Sequence, residues 1–218
     1  MKKIAVYGAG GLGREIKMLI DQINEHTPSY QFVGFFDDGK EKGAIVNGYP
    51  VLGGRDDLNA WPEAIGVVYA MGYPEIKKRL LNYLNNDKIF FPTLISPSAY
   101  IGKDDVQIGE GTVIFAGCSV TVNIRIGKHV TISVLSTIGH DTVIEDLVSL
   151  MPGVNISGEI LIREGVYIGT NASIIHGLQV GEYTIIGAGA TVNRSLPAFC
   201  TAVGVPAKPI KFHNVVNN

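Results

Sequence analysis

Cysteine is scarce in this chain: Cys118 and Cys200 are the two thiols among 218 residues. Two thiols cannot build the cross-linked framework of a small secreted domain, so packing must make the core. Charge is sparse as well. Asp, Glu, Lys and Arg make up 17% of the residues, and the net charge is −2. That leaves no basic excess of the kind that nucleic acid or an anionic membrane surface selects. No apolar run approaches the length of a membrane span. The opening Met-Lys-Lys and Ile4-Ala5-Val6-Tyr7 break into glycine at Gly8, which does not fit the apolar segment of a secretory signal. A reduced cytoplasm is the expected location, with neither nucleic acid nor membrane as partner.

What the chain does have is glycine, 27 residues of it, and a repeat. From Ile108 to Val192 every sixth residue is Ile, Val or Leu, without a gap. A helix repeats near 3.6 and a strand at two, so neither explains period six. A short period sustained this long implies a solenoid of stacked units. Four residues after each repeat residue the side chain is small or aliphatic, from Thr112 and Cys118 to Thr184 and Ala190. Cys118 therefore reads as core. Glycine often follows the repeat residue, as at Gly109, Gly127, Gly139, Gly169, Gly181 and Gly187, and is expected to supply the unusual backbone angles of the corners. Stacked coils would lie about 4.8 Å apart. A β-sandwich with accidental periodicity is the competing architecture, but a sandwich alternates at two and varies its loops. Ile101, seven residues before Ile108, marks a bulge or the start of the first coil.

The first 95 residues read differently. Ile4–Tyr7 is an expected buried strand, followed by Gly8-Ala9-Gly10-Gly11-Leu12-Gly13 and a helix over roughly Arg14–Asn24. Gln31–Phe36 and Ile65–Ala70 are further strands, and Glu75–Leu84 a second helix. Alternation of this kind implies a parallel sheet. The glycine turn fits G-x-G-x-x-G, and its amides at a helix start favour a phosphate. Asp37-Asp38 closes the second strand, where a carboxylate can accept hydrogen bonds from ribose or base. NAD, a single nucleotide-linked ligand, and a tight turn that binds nothing are all compatible with that turn. A dinucleotide crevice needs two mononucleotide halves, and 95 residues supply about one. The single nucleotide-linked ligand is therefore preferred. The expected domains are 1–95, a Rossmann-like half domain, and 96–218, the solenoid with a C-terminal tail.

Among the five histidines, His140 follows Ile138-Gly139 at a turn of the repeats, and Asp141 is adjacent. An imidazole titrates near neutrality and suits a general base, and a neighbouring carboxylate favours its protonated form. From local spacing alone a solvated turn histidine is the better reading.

The repeats resemble those of the hexapeptide-repeat acyltransferases, whose fold is a left-handed parallel β-helix of triangular cross-section with three hexapeptides per coil. The handedness is implied by the resemblance, since parallel crossovers are normally right-handed. The whole chain resembles a narrower bacterial group, the sugar acetyltransferases related to sialic acid O-acetyltransferase and the UDP-4-amino-sugar N-acetyltransferases. The resemblance rests on Val6-Tyr7-Gly8-Ala9-Gly10-Gly11-Leu12-Gly13, Phe36-Asp37-Asp38, Gly72, Gly139-His140-Asp141 and Gly204-Val205-Pro206-Ala207-Lys208. It implies a nucleotide-sugar held by Gly10, Gly11, Leu12, Asp37, Asp38 and Gly72. Many members carry His where this chain has Leu12.

The resemblance further implies His140 as general base, Asp141 as its modulator, and the Gly158 amide, one coil on, as donor to the oxyanion. Ser149 stands where some members place a histidine against the acetyl donor. Acetyl-CoA is the implied co-substrate, in a groove between two prisms of a homotrimer, near Gly169, Thr170, Gly187, Ala188 and Lys208, with no metal. The implied reaction moves acetyl from acetyl-CoA to an amino group of a UDP- or dTDP-linked amino-deoxysugar for bacterial surface glycan synthesis. O-acetylation of a sugar hydroxyl and a noncatalytic nucleotide-sugar-binding trimer are the alternatives. A metal-dependent β-helix enzyme of the γ-carbonic anhydrase type is disfavoured. His140 and His176 are two such coils apart, about 10 Å, too far for one ion within a chain.

Overall fold

Ile4, Ala5 and Val6 have no exposed surface, as a strand covered on both faces requires. The computed structural model describes residues 1–213, and the chain forms two compact units, Met1–Pro97 and Ser98 onward. The first runs β1 (Lys2–Tyr7), α1 (Gly11–His26), β2 (Tyr30–Phe36), β3 (Ile45–Val46), β4 (Tyr49–Gly53), α2 (Arg55–Asn59), β5 (Ile65–Tyr69), α3 (Pro74–Tyr83) and β6 (Ile89–Phe90). Its sheet order is β3-β4-β2-β1-β5-β6, parallel except for the β3–β4 hairpin. β2 and β5 flank β1 on opposite sides, so the strand order reverses at β1. The crevice beyond its C-terminal end is where such sheets hold ligands.

The three expected strands and two helices are all present, with boundaries at most three residues away. The hairpin and α2 carry too little apolar pattern to be read from the sequence.

Period six becomes geometry in the second unit. Val113 pairs with Thr131, Thr131 with Ser149, Ser149 with Tyr167 and Tyr167 with Ile185, all in parallel. Each step advances the chain by three hexapeptides, which therefore close one coil of a left-handed parallel β-helix. Three ladders make the walls. Within this unit one runs from Val113–Ile114 to Cys200–Val203 and the antiparallel Lys208–Phe212. The segment expected as an extended tail therefore turns back at Gly204–Ala207 as a hairpin. A second wall runs from Tyr100–Ile101 to Thr191–Val192, and the third from Val106–Ile108 to Gln179–Val180.

The repeat residues form the inner column. All fifteen except the first, Ile108, are buried, and each buried aliphatic contributes about 1.5–3 kcal/mol. Hydroxyls at the small position are satisfied across coils. Thr112 Oγ1 donates to Gly127 O at 2.9 Å, and Thr184 Oγ1 to Pro197 O at 2.6 Å. Val120 pairs with Ile101 on one side and Ile138 on the other, and the step from Ile101 is longer by one position. The first coil thus holds one extra residue, the irregularity at Ile101.

One expectation needs correction. The left-handed backbone does not lie at the glycines that follow the repeat residues. It lies two positions later, at Gly111, Gly117, Asn123, His129, Leu135, Asp141 and onward every six residues to Gly189. The earlier glycines serve close approach instead. A Cβ at Gly139 would lie 2.7 Å from the Ser157 carbonyl carbon, and one at Gly169 would lie 2.6 Å from Ala188 N. No helix among the described residues is long and apolar enough to cross a membrane.

Candidate active site

The corner that carries His140 is built by one turn of the helix. Ile138 points inward and is buried. Gly139 lets the chain pass close to the next coil. Asp141 takes the left-handed conformation, φ 57°, which folds its carboxylate back onto the preceding side chain. The result is a 2.7 Å hydrogen bond between His140 Nδ1 and Asp141 Oδ2. A carboxylate only accepts, so Nδ1 carries the proton and Nε2 keeps its lone pair. Asp141 Oδ1 accepts a second hydrogen bond, 2.9 Å, from Asn123 Nδ2. His140 and then Asn123 hold the Asp141 carboxyl below its usual range. Both His140 and Asp141 are half-exposed, at 52% and 47% of their side-chain surface, so substrate can reach them.

Gly158 lies beneath the imidazole. A Cβ there would sit 2.4 Å from His140 Nε2, so glycine at 158 is what gives the ring its place. The Gly158 amide donates to no acceptor among the described residues. A Cβ at Gly139 would come within 2.8 Å of that nitrogen. The bare Gly139 therefore keeps an unspent donor open beside the base, where an oxyanion would need it.

The structure brings His140, Asp141 and Gly158 together, and adds Asn123, which the sequence reading missed. Asn123 precedes Asp141 by 18 residues, one full coil, a separation that becomes contact only once the ladder closes. The structure also places His176 differently from expectation. The ring centroids of His140 and His176 are 6.1 Å apart, because no side chain stands between them at Gly158 and the rings incline toward one another. The backbone separation of two coils overstated the distance. Among the described residues no group of three or more His, Cys, Asp or Glu side chains is placed to hold a metal.

The residues expected to line the donor lie elsewhere. Thr170 and Ala188 share one corner, joined by Gly189 N–H donating to Thr170 O at 2.8 Å. That corner falls two hexapeptides beyond the register of Gly158, so within one chain it is not the corner of His140. Gly169 is buried, Gly187 is half-buried, and Thr170, Ala188 and Lys208 are exposed. Ser149 is fully buried, so as it stands it presents no surface to a donor. The wall beside His140 holds an open depression of about 550 Å³ whose lining includes Arg125, Glu145, Asp146 and Glu164. Three carboxylates make it a poor seat for the donor's phosphates.

In the N-terminal unit the glycine turn is tied to the end of β2. Gly8 N–H donates to Phe36 O at 2.7 Å, and Ala9 N–H to Asp37 Oδ2 at 2.8 Å. Gly13 packs α1 on the turn, since a Cβ there would meet Gly8 O at 1.9 Å. Gly10 and Gly11 have open space around their missing side chains, which leaves the first amides of α1 accessible to a phosphate. Leu12 is partly buried and Gly72 half-exposed. Both acidic residues already have partners. Asp37 Oδ1 accepts from Gly39 N–H, and Asp38 accepts from Arg55 N–H at 2.8 Å and pairs with its Nε at 3.2 Å. Arg55, at the start of α2, is a second residue that the sequence reading did not find.

A half Rossmann unit followed by a left-handed β-helix, with an acid–imidazole couple on one corner, defines a hexapeptide-type acyltransferase. The PglD N-terminal domain family matches residues 3–84, and the bacterial transferase hexapeptide family matches residues 159–194. GDP-perosamine N-acetyltransferase of Escherichia coli O157:H7 is 31% identical, over 97% of each chain. WeeI from Acinetobacter baumannii AYE superposes with a TM-score of 0.87 at 34% identity, covering 96% of this chain and 100% of that one. The acetyltransferase domain of PglB from Neisseria gonorrhoeae FA1090, in complex with acetyl coenzyme A, does so with 0.84 at 30%, covering 96% and 99%. PerB from Caulobacter crescentus, in complex with CoA and GDP-perosamine, gives 0.83 at 26%, covering 97% and 98%. This chain belongs to the hexapeptide-repeat nucleotide-sugar N-acetyltransferases.

Proposed function

We propose that the chain transfers acetyl from acetyl-CoA to an amino group of a nucleotide-linked amino-deoxysugar. The observation that carries this reading is the Asn123–Asp141–His140 chain of hydrogen bonds with the Gly158 amide beside it. His140 Nε2 takes a proton from the amine as nitrogen attacks the thioester carbonyl, and returns it to the departing sulfur. Asp141, anionic, stabilises the imidazolium formed in between. The Gly158 N–H meets the oxyanion of the tetrahedral intermediate. In the N-terminal unit the first amides of α1, at Gly11 and Leu12, take a phosphate, with Gly10, Asp37, Asp38 and Gly72 around the sugar nucleotide.

The donor wall at Gly169, Thr170, Gly187 and Ala188, with Lys208 for the phosphates, lies on another corner from His140. A homotrimer reconciles the two, because a neighbouring copy's donor corner can face this copy's base. Similarity to proteins crystallised with acetyl coenzyme A, or with CoA and GDP-perosamine, supports both substrates. It also adds guanosine to the nucleotides to be tried. Release of free thiol from acetyl-CoA, followed against GDP-, UDP- and dTDP-amino sugars, tests the reading. Turnover with at least one amine acceptor is expected. Hydrolysis alone, or transfer only to hydroxyl acceptors, would overturn it.

A further inference from the structure

The corner of His140 recurs once per coil as His140, Gly158 and His176, followed by Arg194. Gly158 has no side chain, and two imidazoles converge over it from the coils on either side. Their centroids are 6.1 Å apart and their planes 46° from parallel. Each ring has its own carboxylate. His140 Nδ1 is 2.7 Å from Asp141 Oδ2, and His176 Nε2 is 3.5 Å from Glu159 Oε2. Glu159 repeats, one coil on, the position and left-handed backbone of Asp141, with φ of 58° and 57°. It is tied to the first couple by its N–H, which donates to His140 O at 2.8 Å. All four side chains remain about half-exposed.

One base accounts for only part of the proton traffic. An amino sugar in water is an ammonium ion. The balanced reaction is R–NH3⁺ + CH3CO–S–CoA → R–NH–COCH3 + HS–CoA + H⁺. Two N–H bonds break, one N–C bond forms and one C–S bond breaks; one proton goes to sulfur and the other to water. A single imidazole would have to shed the first proton before it could take the second.

We propose that His176, backed by Glu159, is a second base that takes the first proton. The bound ammonium gives a proton to His176, which leaves a neutral amine within reach of His140. His140 accepts the second proton as the C–N bond forms and hands it to the leaving sulfur. Protonated His176, exposed beside Glu159, returns its proton to solvent. The titratable groups in contact with His176 are Glu159 and His140 on the preceding coils; Asp141 adjoins His140, and Arg194 holds the same register one coil on. The inference rests on the amine-acceptor reading above.

The test is the pH profile of kcat/KM for the amine acceptor in His176→Phe, which keeps a ring against His140 but cannot take a proton. His176→Asn and Glu159→Gln provide independent variants at the same exposed corner. His176→Phe is expected to lose at least about tenfold near pH 6.5, the lower end for a missing proton acceptor. The deficit should shrink to less than about twofold near pH 9.5, where solution itself supplies the neutral amine. His176→Asn should follow the same profile, and Glu159→Gln should show a smaller deficit with the same slope. A loss that is equal at every pH would mean that His176 only packs, and no loss would mean that it is idle; either result overturns the proposal. Wild-type enzyme without turnover on any amino sugar would instead overturn the parent reading.

Discussion

At the scale of single residues the site is a chain of three side chains, each oriented by the one before it. Removing the proposed base in His140→Ala should lower kcat by at least about 10²-fold, measured by thiol release at saturating acetyl-CoA. Asn123→Ala removes one of two hydrogen bonds on Asp141 and leaves the one to His140 in place. It should cost no more than about tenfold in kcat, with little change in KM for acetyl-CoA. Asp141 has a depressed carboxyl, so its contribution to folding is present at neutral pH and disappears as pH falls through that lowered value,. The pair is exposed to solvent, which screens its attraction, so it contributes little to stability,. Asp141→Asn should therefore shift the melting temperature by less than about 4 °C at pH 7 while reducing kcat at least about tenfold; a large melting shift would make Asp141 structural. His140 and Asp141 could be found in the sequence because they are adjacent. Asn123 could not, because its partner is one coil away and only the closed ladder turns that separation into direct contact.

At the scale of the coil, two kinds of glycine need separating. A Cβ at Gly139 or Gly169 would strike backbone of the next coil, at 2.7 Å and 2.6 Å, and backbone cannot step aside without moving the wall. Gly139→Ala is expected to cost about 1–3 kcal/mol of stability, the usual scale of overpacking, read by chemical denaturation. The nearest atoms that Gly158→Ala would meet belong to the imidazole of His140, a half-exposed side chain that can swing away. That variant should melt within about 4 °C of wild type yet lose at least about 10²-fold in kcat, as if the base were gone. Equal damage to stability in both variants would contradict this division. Period six exposed the solenoid because one inward residue per hexapeptide is a packing requirement of every wall. Which glycine turns the backbone and which admits a neighbour is not encoded in that period. Asn123, Asp141 and Asn171 hold left-handed corners as well, so glycine content alone could not locate them. The β3–β4 hairpin and α2 escaped notice for a simpler reason: segments of two to five residues are too short to display a periodicity.

At the scale of the whole molecule, what matters is that the proposed base and the proposed donor wall occupy different corners of one prism. His140 and Gly158 share one register, and Thr170 and Ala188 share another, two hexapeptides further on. On that proposal a single chain presents two half-sites on different corners. A cyclic trimer would use each prism twice, once for its base and once for its donor wall. Complementation tests this directly. His140→Ala trimers lack the base. Ala188→Trp trimers place an indole on an exposed corner where the donor's pantetheine arm is proposed to lie. Each should be nearly inactive alone. Refolded together at equal concentration, about one interface in four pairs an intact base from one variant with an intact wall from the other. About a quarter of wild-type activity should then return. If one chain completed its own site, mixing would restore nothing beyond the sum of the two residual rates. If Ala188→Trp alone kept full activity and normal acetyl-CoA affinity, the donor would have to lie on some other wall.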